Sequence, residues 1–482
     1  MIFHSLDFIV FLAVVVAAYW RLPHRAQNLF LLAASYLFYG YVHPWFLILI
    51  AISTVMDYGV ALAIAASASP VRRRAWLWVS LVGNLGMLAA FKYFGFFVDN
   101  VWAALDAFGM APARPALQVV LPVGISFYTF QTLSYTIDVY RGGLAARRSL
   151  IDVALFVAFF PQLVAGPIER AAHLLPQVEQ PRRFDGAASR AALVLIVWGF
   201  FKKLVIADNV GVIADKAFSL QSPSFEVLWA GVFAFGIQIY ADFSAYSDIA
   251  RGTARWLGFD IMKNFDHPYL ARGPVDFWRR WHISLSTWFR DYVYIPLGGS
   301  RRGLPRMLTN IMITFLLSGF WHGASWNFVL WGAYHGALLV TSRLAGMLVP
   351  SAGALAHRLA PVLTPLRIVV MFVLVHIGWL MFREANLAML LRDLTLTPAA
   401  STAFDRQMGL YLFLLAAVYA LPLWLHALWD TAGRRIVGRA PWLDMTRPLP
   451  WAAAQGLTCG VLFAVLLVFR SRTSLDFIYF QF

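Results

Sequence analysis

Long apolar stretches recur along the whole chain and are separated by short polar segments. A membrane-spanning helix needs roughly 17 to 25 predominantly apolar residues, and most of these stretches have that length. The stretches at 225–250 and 308–341 are long enough to be compound. The pattern predicts an all-α polytopic membrane protein with about 11 or more transmembrane helices. The predicted spans lie near 6–20, 28–42, 45–66, 76–97, 119–139, 191–214, 225–250, 308–341, 366–382, 409–429 and 451–469.

Two stretches do not fit a series of simple crossings. The segment "FFPQLVAGPIERAAHLLPQ" has prolines at positions 161, 167 and 176. Because proline interrupts helical hydrogen bonding, we expect a re-entrant or interfacial element there. Residues 273–306 are too charged to span a membrane yet rich in Trp, Tyr and Phe. They predict a helix that lies at the membrane interface.

Composition supports a membrane protein over its whole length. Hydrophobic residues make up 60% of the 482 positions, charged residues 13%, and the mean hydropathy is +0.67. A soluble interior does not hide that much apolar surface. No internal repeat and no low-complexity linker divides the sequence. We therefore expect one integral membrane domain over residues 1–482.

The distribution of basic residues predicts the orientation of the chain. The net charge of +15 is scattered in short clusters between spans, which is typical of topology signals and contacts with anionic lipid rather than nucleic acid. No Lys or Arg precedes the first apolar run, whereas Arg21 and Arg25 follow it, so we expect a retained first span with its N-terminus outside. Loop 430–450 holds four arginines, which places the C-terminus outside as well.

His282 lies in the aromatic, charged segment 273–306. Continuous helical spacing would put it on one face with Trp278, Trp281, Leu285 and Phe289, directed toward the protein interior. A histidine there is either a core residue satisfied by a backbone carbonyl or a functional group, because ionisable side chains at membrane depth are costly.

His322 lies deep in the apolar segment "LLSGFWHGASW". Gly319 and Gly323 flank it at a spacing that lets a neighbouring helix approach closely. An imidazole has an unperturbed pKa of about 6.5, which suits a general base near neutral pH. The setting favours function over a structural role, but His335 and His376 have similar settings, and spacing does not choose among the three.

Other chemistry receives little support from the sequence. The single cysteine, Cys459, excludes disulfides within the chain, and no HExxH or paired His and Cys spacing predicts a metal site. No nucleophile elbow, P-loop or dinucleotide loop is present, and we expect no tightly bound cofactor. The intramembrane carboxylates Asp242 and Asp248 are six residues apart, and we expect them to pair with nearby arginines.

Five segments in order resemble the membrane-bound O-acyltransferase (MBOAT) family: "QTLSYTIDVYRG", "FPQLVAGPIER", "QIYADFSAYSDIA", "DFWRRWHISLSTWFRDYVYIPLGG" and "SGFWHGASWNFVLWGAYHG". They look most like its bacterial branch of alginate O-acetylation proteins and teichoic acid D-alanyl transferases, with a motif core at about 120–340. The resemblance implies helices around a central tunnel, with the acyl thioester entering from the cytoplasm. It also implies that His322 is the catalytic residue and that His282 is its companion.

The resemblance further implies an enzyme of the bacterial cytoplasmic (inner) membrane that O-acetylates an exported polysaccharide such as alginate. The expected donor is acetyl-CoA, or an acyl carrier protein, and Lys202 with Lys203 or Arg301 with Arg302 could meet the donor's phosphates. An extracytoplasmic acetyltransferase or esterase-like protein is the expected partner, together with membrane lipid. Two alternatives stay open, namely D-alanyl export from a carrier-protein thioester and a non-catalytic transporter.

The chain ends in the aromatic tail "SLDFIYFQF" at 474–482. Such residues near a span end are typical of an interfacial anchor. The tail is also similar to the C-terminal tyrosine motif of acyl-exporting relatives, which makes Tyr479 a candidate acyl acceptor. Its phenol has a reference pKa of about 10 and would need a base such as His322 to attack a thioester.

Overall fold

The computed structural model describes residues 1–110, 121–164, 166–348, 354–384, 386–433, 448–471, 475, 477 and 478. All regular elements in these ranges are helical, which confirms the all-α prediction. By contacts the chain divides into two compact units. Unit 1 comprises Met1–Asp185, Thr253–Met262 and Gly323–Ser325, and unit 2 comprises Gly186–Gly252, Lys263–His322 and Trp326–Phe482.

Unit 1 is built from the first nine α-helices. They are α1 (Leu6–Tyr19), α2 (His24–Gly40), α3 (Phe46–Ala66), α4 (Pro70–Leu88), α5 (Phe94–Ala107), α6 (Ile125–Tyr140), α7 (Leu150–Ala158), α8 (Phe160–Leu163) and α9 (Ala171–Glu179). Helices α1 and α4 begin with ordinary capping chemistry: the Ser5 hydroxyl accepts the Phe8 N–H at 3.1 Å, and Pro70 is the first residue of α4.

Polar side chains join α3, α4 and α6 inside unit 1. The Asn84 amide donates to Asp57 at 2.8 Å, and the Ser53 hydroxyl donates to Asn84 at 2.6 Å. The Thr132 hydroxyl of α6 donates to the same Asn84 side chain at 3.3 Å, and all four side chains are buried. Because a buried polar group without a partner is costly, this network fixes which faces of the three helices meet.

The proline-rich segment breaks where the sequence predicts. Helix α7 ends at Ala158, α8 is a single turn that contains Pro161, and Pro167 lies in the non-helical stretch before α9. Proline lacks an N–H donor, which explains the breaks at the first two prolines, whereas Pro176 lies inside α9. The broken backbone is confirmed, and its re-entrant or interfacial position stays a prediction.

Unit 2 contains the remaining α-helices, and the longest helix, α12, is among them. They are α10 (Gly186–Phe201), α11 (Asp208–Phe218), α12 (Phe225–Trp256), α13 (Pro274–Arg280), α14 (Ile283–Phe289), α15 (Leu304–His322), α16 (Trp326–Leu348), α17 (Ala354–Arg383), α18 (Leu387–Thr395), α19 (Ala403–Leu428) and α20 (Pro448–Phe469). In α12, 83% of the most apolar window is buried. This helix is therefore the core of the unit rather than a lipid-facing surface, although its last four residues belong to unit 1.

Segment 273–306 is not the single helix that the sequence predicts. Helix α13 ends at Arg280, α14 begins at Ile283, and a π-helical turn, Arg290–Tyr294, follows. His282 has a φ of 41° between the two helices, a left-handed conformation that a helix does not continue through. The shared helical face proposed for Trp281 and His282 is therefore wrong, although both side chains are buried.

The apolar helices fit a membrane protein. Among the described residues, five helices are long and apolar enough to cross a bilayer. They are Phe46–Ala66, Pro70–Ala107, Phe225–Trp256, Val362–Arg383 and Ala403–Thr431. The second of these counts α4, the π-helical turn Ala89–Tyr93 and α5 as one continuous helix. The predicted compound segment 308–341 is divided between α15 and α16, whereas 225–250 lies within the single helix α12. The count of about 11 spans, the single domain and the tunnel stay predictions.

Candidate active site

Helices α15 and α16 cross in close contact just before His322. A Cβ atom on Gly319 would lie 2.1 Å from the Phe328 carbonyl oxygen, and one on Gly332 would lie 2.3 Å from the Phe315 carbonyl oxygen. Both positions must therefore be glycine for the two backbones to touch. The close approach predicted at Gly319 is confirmed. It fixes the end of α15, of which His322 is the last residue.

Aromatic rings surround the His322 imidazole. The ring centroids of Trp321 and Trp331 both lie 5.0 Å from that of His322, and the Phe382 centroid lies at 5.3 Å, all with edge-to-face geometry. The histidine is 5% exposed. We call these three rings with His322 the aromatic chamber. Such a chamber excludes most water from any group that reacts at His322.

Asn264 holds His282 in one tautomer. The Asn264 Oδ1 atom accepts the Ser284 backbone N–H at 3.2 Å and the Ser284 hydroxyl at 2.9 Å, so it is the carbonyl oxygen of the amide. His282 Nδ1 lies 3.1 Å from the same oxygen and must therefore carry its proton. Nε2 is then the basic nitrogen of His282, oriented by Asn264.

His282 is neutral and shares a neighbour with His322. Complete burial lowers the pKa of His282 to about 3. The centroid of the Trp321 ring lies 6.4 Å from that of His282 and 5.0 Å from that of His322. The structure thus brings both sequence-predicted histidines against one indole, at the edge of the aromatic chamber.

His335 and His376 occupy spaces left by glycines, and the His335 ring also packs on Trp331 of the aromatic chamber, with a centroid distance of 4.8 Å. A Cβ atom on Gly378 would lie 2.6 Å from His335 Nε2, and one on Gly236 would lie 2.3 Å from His376 Nε2. His376 Nδ1 also bonds the carbonyl of Phe372, one turn earlier, at 2.8 Å. Each imidazole therefore packs tightly against a glycine of a neighbouring helix.

A buried ionic cluster lies elsewhere in unit 2. The Lys203 ammonium is 2.9 Å from Asp208 and 3.1 Å from Asp242, and each of the three side chains is at most 2% exposed. Lys203 also donates to the Leu475 carbonyl at 2.9 Å, while Asp242 accepts the Ile478 N–H at 2.8 Å. We call Lys203, Asp208 and Asp242 the tail clamp, because together they hold the backbone of the aromatic tail.

The clamped tail reaches the neighbourhood of His282. The ring of Phe477 lies 4.0 Å from that of Tyr246 and 5.8 Å from that of Phe243. The Phe243 ring in turn lies 4.7 Å from the His282 ring. One aromatic side chain therefore separates the tail from His282. The candidate acceptor Tyr479 lies outside the described residues.

The expected pairing with an arginine is wrong for Asp242 and confirmed for Asp248. Asp242 pairs with Lys203 rather than an arginine, and Asp248 pairs with Lys202 at 2.8 Å and with Arg251 at 3.6 Å. Both lysines are buried and neutralised by carboxylates. They are therefore not available as a cytoplasmic phosphate site, unlike the exposed Arg301 and Arg302.

Sequence reasoning missed Asn264 and the role of the tail clamp. Asn264, which accepts the hydrogen bond of His282 Nδ1, lies outside segment 273–306. Lys203 is 272 residues from Leu475, to which it donates. Local periodicity carries no signal for such distant partners. The adjacent pair Lys202 and Lys203 in an apolar segment was the available hint, since buried lysines need partners.

Comparison with known proteins identifies the family of the chain. The model of the membrane-bound O-acyltransferase family matches residues 46–382, a range that includes His282 and His322. The probable alginate O-acetylase AlgI of Pseudomonas aeruginosa is 43% identical over 392 residues, which cover 80% of this chain and 73% of that protein.

Two further relatives bear other names. The peptidoglycan O-acetyltransferase of Helicobacter pylori is 34% identical over 419 residues, with 80% of this chain and 77% of that protein covered. The teichoic acid D-alanyltransferase of Streptococcus thermophilus is 31% identical over 232 residues, with 45% of this chain and 56% of that protein covered. The chain therefore belongs to the membrane-bound O-acyltransferase family and is an acyltransferase.

Proposed function

We propose that the protein is an O-acetyltransferase of the bacterial cytoplasmic membrane. It moves an acetyl group from a cytoplasmic acetyl thioester, acetyl-CoA, toward an exported polysaccharide such as alginate. The support from relatives is that the two O-acetyl-transferring proteins align over 80% of this chain, whereas the D-alanyltransferase aligns over 45%. The main structural support is that His282 and His322 both lie beside Trp321. His282 is neutral, and Asn264 fixes the orientation of its ring.

The proposed reaction uses His322 as a general base. A nitrogen of His322 takes the proton of an acceptor hydroxyl while that oxygen attacks the thioester carbonyl. The carbon–sulfur bond then breaks, and the departing thiolate takes the proton back from the imidazolium. His282, whose Nδ1 proton is committed to Asn264, helps to hold the reacting groups in position.

Tyr479 is the acceptor hydroxyl that we propose for the first transfer. It follows Phe477 by two residues, and two extended residues span at most about 7 Å. Phe477 itself is one ring away from His282. The phenol oxygen would attack the thioester and form an acetyl-tyrosine ester. A polysaccharide hydroxyl, or the nucleophile of an extracytoplasmic partner, would then attack that ester and release the tyrosine.

Replacement of His322 by Gln tests the general base. The glutamine keeps a polar side chain of similar size but cannot accept the proton, so we expect acetyl transfer to fall by about 10²- to 10⁴-fold. The measurement is transfer from labelled acetyl-CoA in membranes with equal protein abundance. His43→Gln, at an exposed position outside the site, is the matched control. Unchanged transfer in His322→Gln would remove the assignment.

Replacement of Tyr479 by Phe tests the tail separately. The variant keeps the aromatic anchor and loses the hydroxyl, so we expect loss of O-acetyl ester on the cell-surface polymer. Mass spectrometry of the polymer from wild-type cells distinguishes acetyl from D-alanyl esters. Wild-type ester content in Tyr479→Phe would leave the tail as an anchor only, without bearing on His322.

A further inference from the structure

Two histidines and an aspartate from distant parts of the chain meet in unit 2. They are His267, His426 and Asp430, and the ligand atoms of all three lie within 4.8 Å of one another. His267 Nε2 is 3.0 Å from Asp430 Oδ2, and the two histidine ring centroids are 5.4 Å apart. The cluster is separate from the aromatic chamber and from the tail clamp, and the proposed reaction does not use it.

The local backbone directs the three side chains to one point. His426 and Asp430 are four residues apart at the end of α19 and in the π-helical turn that follows, so they project from the same side. His267 has a φ of 47° and precedes Pro268, a combination that L-residues rarely adopt. Such a conformation persists only where the surroundings over-determine it.

The donor set suits a borderline divalent cation. Imidazole nitrogens and a carboxylate oxygen bind Zn²⁺ at about 2.0–2.2 Å, and two ligand atoms of a tetrahedral site then lie about 3.4 Å apart. His267 Nε2 and Asp430 Oδ2 are already at a comparable separation, 3.0 Å. The ligand atom of His426 lies within 4.8 Å of both. Three protein ligands leave the fourth position for a water molecule.

A small cavity adjoins the histidine. It holds about 10 Å³ of free space, close to the volume that one water molecule needs. Its walls are apolar and aromatic apart from His267, Tyr240 and Tyr269. The space therefore fits a single bound water better than an organic ligand.

The surrounding charges allow a cation. The Lys202 ammonium lies 6.0 Å from the Trp198 ring, on which the His426 ring also packs with a centroid distance of 5.1 Å. That ammonium is compensated by Asp248 at 2.8 Å. Asp430 supplies the negative charge that a divalent ion needs, and the two neutral imidazoles supply the remaining bonds.

The geometry points to a Zn²⁺-class site formed by His267, His426 and Asp430. A cation there ties the end of α19 to the turn at Pro268, which follows α12. A metal bond across 163 residues of sequence would stabilise the fold around both elements. We expect Zn²⁺ to bind more tightly than Mn²⁺, and we expect Mg²⁺ to bind poorly, because the site has two nitrogen ligands.

Zinc binding to the full-length protein in detergent tests the site. The protein carries an affinity tag without histidine, is treated with a chelator and is then titrated with Zn²⁺ against a competing dye. We expect one zinc per chain and a zinc-dependent rise of the melting temperature. His426→Asn and Asp430→Asn each remove one ligand, so the affinity should fall by at least about 100-fold.

Two comparisons keep the test decisive. His43→Asn removes an exposed histidine far from the cluster in sequence and should bind zinc like the wild type. If a ligand variant does not purify, the absorption spectrum of Co²⁺ bound to the wild type reports whether coordination is tetrahedral. Wild-type zinc affinity in both ligand variants, or no zinc-dependent melting shift in the wild type, would overturn the proposal and leave an ordinary His–Asp ion pair.

Discussion

The aromatic chamber and the tail clamp are both buried in unit 2, but their chemistry is opposite. The chamber surrounds His322 with the rings of Trp321, Trp331 and Phe382. The clamp instead places the Lys203 ammonium between two carboxylates and extends hydrogen bonds to the backbone at 475 and 478. The chamber places the titratable His322 side chain among uncharged aromatic rings. The clamp places a lysine ammonium beside two carboxylates of opposite charge.

The difference indicates a division of labour. A general base needs a basic nitrogen, and an aromatic, water-poor setting disfavours the permanently protonated form of an imidazole. A segment that must be held in place needs partners that recognise backbone N–H and C=O groups, which charged side chains bind strongly. The chamber is therefore suited to chemistry, and the clamp is suited to presenting the tail to it.

Removal of the Lys203 charge should have the largest effect on stability. Lys203→Met leaves Asp208 and Asp242 facing each other without a cation, so we expect a loss of about 3–5 kcal/mol in the free energy of unfolding. The tail should also become accessible to protease, because Leu475 loses its donor. Thermal unfolding in detergent and limited proteolysis measure the two effects.

A triple variant separates charge from shape in the clamp. Lys203→Met combined with Asp208→Asn and Asp242→Asn removes the uncompensated carboxylates, and the amide oxygen introduced at position 242 can still accept the Ile478 N–H. We expect the triple variant to recover most of the lost stability. A triple variant as unstable as Lys203→Met would show that packing, rather than charge, explains the loss.

Closure of the chamber depends on the α15–α16 crossing. Gly319→Ala forces a methyl group to 2.1 Å from the Phe328 carbonyl oxygen, so the helices must separate. We expect a destabilisation of about 1–3 kcal/mol and reduced transfer, since His322 follows in the same helix. Gly346→Ala is the control within α16, because nothing lies within 4 Å of its added methyl group.

The control should change stability in the opposite direction. Alanine is the better residue inside a helix, so Gly346→Ala is expected to stabilise by about 0.5–1 kcal/mol. Equal melting temperatures for Gly319→Ala and the wild type would show that α15 and α16 need not touch, and the described chamber would then be wrong.

Orientation of His282 should have the smallest effect on stability and a clear effect on rate. Asn264→Ala removes the acceptor for His282 Nδ1 and for Ser284, at a cost of about 1–2 kcal/mol. We expect kcat to fall by up to about 100-fold with little change in KM for acetyl-CoA, because positioning is lost rather than donor binding. An unchanged kcat would make Asn264 a purely structural residue.

The sequence predicts the parts of this account that depend on local order. Apolar stretches give the helical class, the prolines near 161 give the break after α7, and the compound segment 308–341 gives α15 and α16. The motifs around His282 and His322 identify the histidine pair because they resemble a family, not because spacing selects them from His335 and His376.

The rest depends on contacts between distant residues. The single helix expected across 273–306 fails because His282 adopts a left-handed backbone, which no residue pattern announces at a non-glycine position. Lys203 was expected to be able to meet the donor's phosphates. It is instead buried, because it pairs with Asp208 and Asp242 and donates to the backbone of the tail. Asn264 joins His282 only in three dimensions, so the tautomer of His282 could not be predicted.

The most direct test of the account follows the acetyl group to the tail. Purified protein is incubated with labelled acetyl-CoA, quenched in acid and digested, and its C-terminal peptide is analysed by mass spectrometry. The account predicts an acetyl ester on Tyr479 in the wild type and its absence in His322→Gln and Tyr479→Phe. Label on the tail of His322→Gln at the wild-type rate would contradict the central claim that His322 is the base for transfer.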